Sequence, residues 1–305
     1  MVPEERNLVA RIKKLKWLIL GGQGQLGRSM SAELERHSIE FVSLSRENLD
    51  ITNEKDIAHV MRKESPDVIF NAAAWTNVDL AELKEDQAFL VNAIGPRLLA
   101  EASAQIGAKF LHISTDYVFS GDSDTPWLEM SEVSPVSAYG RTKAVGERAV
   151  LDTYPKGSFL VRTAWLYGPW GKNFVKTMLK FAQEGERKIT VVTDQVGQPT
   201  SSSDLARQIF LMIARDVRPG IYHGTNSGEA SWYELAQEIF RLAGADSDRI
   251  VGMNSERYAG PAVRPNYSVL GHSNWMKQGM KPMRPWQGAL IDAFPGILNQ
   301  VAKEA

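Results

Sequence analysis

The stretch "LILGGQGQLGRSM", residues 18–30, sets Gly21, Gly24 and Gly27 between an apolar run and the start of a helical pattern. The spacing GxxGxxG is a variant of the dinucleotide fingerprint. Glycines let such a turn tighten and let backbone N–H groups approach a pyrophosphate, whose charge the following helix N-terminus favours. Gly21, Gly24, Gln25, Leu26 and Gly27 are therefore the candidate phosphate cradle. No GKS or GKT follows, so the lysine of a P-loop is missing and phosphoryl transfer is not expected. A turn that only packs a helix on a strand has the same spacing, so the surrounding pattern has to decide.

Working outward, short aliphatic runs alternate with longer helical patterns: 16–20 (KWLIL), 41–44 (FVSL), 67–73 (DVIFNAA), 109–114 (KFLHIS), 159–168 (FLVRTAWLYG), 188–192 (KITVV) and 220–226 (GIYHGTN). Runs of this kind suit strands buried on both faces. Between the third and fourth, Phe89, Leu98, Leu99, Ala102 and Ile106 recur at near-helical spacing, with Gly107 as a stop. The alternation predicts an α/β fold, a Rossmann-type doubly wound parallel sheet with a smaller C-terminal substrate-binding domain. The expected division is a polar N-terminal extension over 1–15, a dinucleotide-binding domain over 16–165 and about 188–228, and a second domain over about 166–187 and 229–305.

Composition narrows the function. The 305 residues, 43% hydrophobic, can bury a sizeable core, and 35 basic against 36 acidic residues leave a charge of -1. No global field favours nucleic acid or an anionic membrane. The absence of cysteine excludes disulfides, thiolate metal sites and a cysteine nucleophile. The five histidines lack HExxH spacing, and no metal is expected. No run has the length of a secretory signal or of a membrane span, so the cytoplasm is the expected compartment.

In a doubly wound sheet, ligands sit outside the carboxyl ends of the strands. At the end of the second strand stand Ser45 and Arg46, both suited to a ribose 2′-phosphate, and a few residues on Asp50 and Ile51 can border an adenine. NADPH is thus the expected cofactor, with NADH possible. Ala72, Ala73 and Ala74 leave room for close backbone approach. Ser114 and Thr115 end the fourth strand, and "SAYGRTKAVGE", 137–147, brings Tyr139 and Lys143 onto one face of a helix. Reduction of a carbonyl needs a hydride donor and a proton donor. Tyrosine can give the proton, although its ordinary pKa of about 10 is high for exchange near neutrality. A nearby lysine ammonium is expected to lower it; 3 units would take about 4 kcal/mol.

Taken together, GxxGxxG, "NAAAWTNVDLAE", "STDYVF", "YGRTK", "RTAWLYG", "NFVKTML", "DQVGQPT" and "RPNYSVL" occur in an order and spacing that resembles the dTDP-4-dehydrorhamnose reductases, extended short-chain dehydrogenases/reductases acting on a nucleotide sugar. The likeness runs over roughly residues 16–295. It implies hydride transfer from NADPH to C4 of dTDP-4-dehydro-β-L-rhamnose, giving dTDP-L-rhamnose for cell-surface polysaccharide. Tyr139 would supply the proton, Lys143 would bind the nicotinamide ribose and tune Tyr139, and Thr115 would hydrogen-bond the reacting oxygen. Asp116, Tyr117, Trp165, Asn173, Phe174 and Arg264 would meet the sugar nucleotide. Members that dimerise through magnesium carry a glutamate where this chain has Ser29, which implies a monomer or a metal-independent homodimer. Two alternatives share the fold: a regulatory subunit of the methionine adenosyltransferase type, and another nucleotide-sugar ketoreductase, epimerase or dehydratase.

Overall fold

All seven apolar runs become strands: β1 (Trp17–Leu20), β2 (Phe41–Leu44), β3 (Val68–Asn71), β4 (Lys109–Thr115), β5 (Ser158–Thr163), β6 (Ile189–Val192) and β7 (Gly220–His223). The structure, a computed structural model, describes residue 10, residues 12–257 and residues 260–304. Of the expected N-terminal extension, Ile12 is buried in the core and Leu15 packs beside it, while 1–9 and residue 11 fall outside the described residues.

Six strands form one parallel sheet in the order β7-β5-β4-β3-β1-β2. Every residue of β1, β3 and β5 is buried, because helices cover both faces. On one face α1 (Gln25–Arg36) packs Leu26, Met30 and Leu34 into a core shared with β1 and β3. On the other, α2 (Glu54–Glu64), α3 (Gly95–Ile106) and α4 (Ala138–Thr153) contribute Met61, Leu99 and Val150. The connections leave β1 in opposite directions, to β2 and to β3, so the crevice of the fold opens above the ends of β1 and β3.

A separate apolar cluster joins α5 (Phe174–Gln183) and α7 (Trp232–Leu242) to the C-terminal helix α8 (Trp286–Glu304). Here the sequence expectation needs correction. The run at 188–192 does not extend the main sheet: β6 pairs with β8 (Ile250–Met253), and Ile189 and Val191 belong to this second cluster. Its burial alternates, Ile189 inside and Thr190 out, as in a strand with one covered face. The chain also crosses back. Trp275, Met280 and Met283 lie in the first core with α6 (Ser202–Ala214), and the fully buried Trp275 donates its indole N–H to the His223 carbonyl at 2.6 Å.

The helix expected before β4 is also broken. A π-helical segment, Leu90–Ile94, precedes α3, and Phe89 and Ile106 are exposed although their spacing pointed inward. The extra backbone residue rotates the helix face. It buries Asn92, whose side chain takes the Trp75 N–H and donates to the Trp75 carbonyl and to the Thr142 hydroxyl. Gly107 ends α3 in the left-handed region, as expected for a C-terminal stop.

Candidate active site

A cavity of about 820 Å³ opens above the carboxyl ends of β1, β3 and β4. Its floor is the glycine turn. Gly21 has φ +76°, and a Cβ there would stand 2.7 Å from the Ala73 nitrogen; a Cβ on Gly27 would stand 2.4 Å from the Gly21 carbonyl oxygen. Neither position admits a side chain, so the turn closes against the next strand. No side chain caps the first turn of α1, which leaves its N–H groups directed at the cavity. Gly24, Gln25 and Leu26 line the same floor.

Beside the end of β2, Ser45, Arg46, Asp50 and Ile51 also line the cavity. The Ser45 hydroxyl donates to Asn48 Oδ1 at 2.9 Å. Asp50 is less available than the sequence suggests, because its Oδ1 accepts from the Thr52 N–H and hydroxyl. Those bonds, and then the nearby Arg46 charge, hold its carboxyl below the usual range. Ala72, Ala73 and Ala74 form the wall above β3, where the Ala73 N–H is held by Asn71 Oδ1 at 3.1 Å.

The opposite wall carries the candidate chemistry. Ser137 caps α4, accepting from the Gly140 N–H, and so fixes Tyr139 in the first turn with Lys143 one turn further on. Ser114, Thr115, Asp116, Tyr117, Tyr139 and Lys143 meet at this wall. The Thr115 hydroxyl donates to Asp116 Oδ1 at 3.0 Å, and the Tyr117 ring stands edge-on to Tyr139 at 5.5 Å. Burial pushes the Tyr139 phenol up to about 12; the Thr115 hydroxyl works against this and the Asp116 charge adds to it. The expected lowering by Lys143 is not found. Its Nζ points to the Ile113 carbonyl, 2.6 Å away, and to His112, and burial draws the ammonium itself down to about 8. Asp116 is raised to about 6, chiefly by burial, against hydrogen bonds from Ser268 and Thr115. The buried hydroxyls of Ser114 and Thr163 have no partner among the described residues and belong to the same wall, which suits a polar ligand.

Trp165 lines the cavity in a left-handed conformation, φ +45°, and stacks on Trp232 with ring centroids 3.5 Å apart. Trp232 and Trp75, which also line the cavity, carry no sequence signal of their own. Three expected contacts lie outside the cavity lining. Asn173 caps α5 and donates to Gln25 Oε1 and the Gly168 carbonyl, each at 2.9 Å. Phe174 packs at a tilt on Trp232. Arg264 forms an ion pair with Asp79 at 2.8 Å, and its charge acts on Tyr117 of the cavity wall. Ser29, on α1, donates to the Ser202 hydroxyl inside the molecule at 2.8 Å.

The family described as "RmlD substrate binding domain" matches residues 15–297. The chain belongs to the dTDP-4-dehydrorhamnose reductase family. It is 45% identical to a dTDP-4-keto-6-deoxy-D-glucose reductase of Streptomyces niveus, over 93% of this chain and 98% of that protein. To a dTDP-4-dehydrorhamnose reductase of Streptomyces griseus it is 42% identical, over 94% and 96%. Among solved structures, the dTDP-4-dehydrorhamnose reductase of Bacillus anthracis in complex with NADP is similar, with a TM-score of 0.89 and 38% identity, covering 92% of this chain and 99% of that one. The match thus runs across both apolar clusters and not only over the glycine turn.

Proposed function

We propose that this protein is an NADPH-dependent reductase of the C4 carbonyl of a dTDP-4-keto-6-deoxysugar, with dTDP-4-dehydro-β-L-rhamnose as substrate and dTDP-L-rhamnose as product. The observation that carries the reading is the convergence of Thr115, Tyr139 and Lys143 on the wall of the cavity whose floor is the glycine turn. The family relationship supports it, and the named activities of the relatives supply the sugar nucleotide. The uncapped helix, the close Gly21–Ala73 contact and the unpaired Ser114 and Thr163 hydroxyls suit a dinucleotide. Arg46 and Ser45 suit a 2′-phosphate, and a relative's complex with NADP agrees.

NADPH, when bound, supplies the hydride. Tyr139 gives its phenolic proton to the alkoxide that develops at C4, and Thr115 holds that oxygen by a hydrogen bond. Lys143 binds the nicotinamide ribose. Asp116, Tyr117 and the stacked Trp165 line the sugar end, where an indole face covers pyranose C–H surface. Asn173 and Phe174 act through Gln25 and Trp232, which they touch. We assign the Rossmann-type sheet to the cofactor and the lobe built on α5, α7 and α8 to the nucleotide sugar, in a cytoplasmic enzyme. The Streptomyces niveus relative favours a second substrate series, the D-gluco 4-keto sugar. Incubation with NADPH and each dTDP-4-keto-6-deoxysugar, followed by loss of NADPH absorbance and product stereochemistry, tests both. Oxidation of NADPH by the L-rhamno substrate is expected; turnover with none of the panel would refute the assignment.

A further inference from the structure

Behind Lys143 runs a line of buried polar groups that the reduction itself does not call upon. Asn71 and His112 are register partners on β3 and β4, both fully buried. The Ala73 N–H donates to Asn71 Oδ1 at 3.1 Å, which fixes the amide and turns Nδ2 toward His112 Nδ1 at 3.0 Å. His112 Nε2 then stands 3.3 Å from Lys143 Nζ, and Nζ donates to the Ile113 carbonyl at 2.6 Å.

Proton bookkeeping allows one consistent pattern. An amide NH2 can only donate, so Nδ1 must be a bare acceptor. An imidazole with bare Nδ1 carries its proton on Nε2, and that proton points at Nζ. An ammonium has no lone pair to receive it; a neutral amine has one. The imidazolium and the Nδ1–H tautomer both set N–H against N–H at Asn71, and flipping the amide sets NH2 against the Ala73 N–H. Burial, the larger cause of its lowered pKa, independently keeps His112 uncharged. The charged group acting on Lys143 is Glu147 on its own helix, which is bound through both oxygens to Arg162 of β5; Tyr139, one turn away, is a neutral phenol.

We propose that His112, oriented by Asn71, is a positioning residue for this reductase: it presents an Nε2–H to Lys143 Nζ and biases that lysine toward the neutral amine. This rests on the reductase reading for its purpose, but not for its detection. The consequence is that Lys143 gives up its proton without leaving a buried donor unpaired.

The test is ¹⁵N NMR of the full chain labelled at histidine, with the His112 signal identified by its loss in His112→Gln. The expected result at neutral pH is the neutral Nε2–H tautomer; an Nδ1–H tautomer or an imidazolium overturns the proposal. Two variants extend it. In Asn71→Asp a carboxylate accepts from Nδ1–H, so the bare Nε2 now faces Lys143, and His112→Gln offers a carbonyl there. Both should raise the Lys143 midpoint, read from its ¹³Cε shift, by about one pH unit, and should move the alkaline limb of kcat/KM with it. A midpoint unchanged in both variants overturns the proposal, whereas absence of NADPH oxidation with a normal His112 tautomer overturns only the reductase reading.

Discussion

A phenol can act as the acid only if it still carries its proton when the alkoxide forms, and Tyr139, held up at about 12 by burial, does so throughout the neutral range. Tyr139→Phe removes one hydroxyl from the proton path and little contact area. It should lower kcat by ~10²–10⁴-fold with NADPH affinity nearly unchanged, as stopped-flow turnover and fluorescence titration would show. Arg46→Ala should raise KM for NADPH about tenfold and leave NADH almost unaffected, since a charge-assisted contact to a phosphate contributes roughly 1.5–3 kcal/mol; equal changes for both cofactors would disprove the 2′-phosphate contact. Asp116 supplies a pH signature. Its carboxyl titrates near 3.8 when unfolded and about 6 when folded, so the folded form binds the extra proton between those values. Above pH 6 the buried carboxylate costs at most about 3 kcal/mol, and this cost fades as pH falls toward 4. Asp116→Asn should therefore melt higher than the parent at pH 8, with the gap closing by pH 4 in calorimetry. Tyr139 and Lys143 were legible because a four-residue spacing on a helix is local. His112, Asn71 and Trp232 were not, because cross-strand register and a stack between residues 165 and 232 leave no trace in local pattern.

At the level of elements, strands covered on both faces read plainly as aliphatic runs, and six of seven took their expected places. The seventh, β6, has the composition of such a strand but one exposed face, a distinction that depends on neighbours that composition does not specify. The break before α3 was equally hidden, since the π segment follows from burying Asn92 against Trp75 and not from any glycine or proline within it. Asn173 joins two elements. Its Oδ1 caps α5, while its amide holds Gln25 of the glycine turn. Asn173→Ala should cost about 1 kcal/mol of stability for the lost cap and also weaken NADPH binding, since Gln25 loses an anchor. Asn173→Asp keeps the cap and loses the amide donor, so urea melts and cofactor titrations on the pair separate the two roles. If both variants bind NADPH normally, the link to the turn has no bearing on the cofactor.

For the molecule as a whole, the Ser29–Ser202 hydrogen bond fastens α1 to α6 within one chain at the position where metal-bridged relatives are expected to carry a glutamate. EDTA should change neither activity nor elution volume in size-exclusion chromatography, and a dimer that appears only with Mg²⁺ would contradict this. The return of the C-terminal segment to the first core has a bearing on biosynthesis. Trp275 packs on Tyr222 of β7 within the first core, so that core is incomplete when β7 leaves the ribosome. With roughly 50 residues still to be translated at about 5–20 residues per second, that core spends about 3–10 s with an indole-sized hole open to water and to chaperones. Nascent chains stalled before residue 275 should accordingly be held by chaperones and cut readily by protease, whereas chains extended far enough to free Trp275 and α8 should resist.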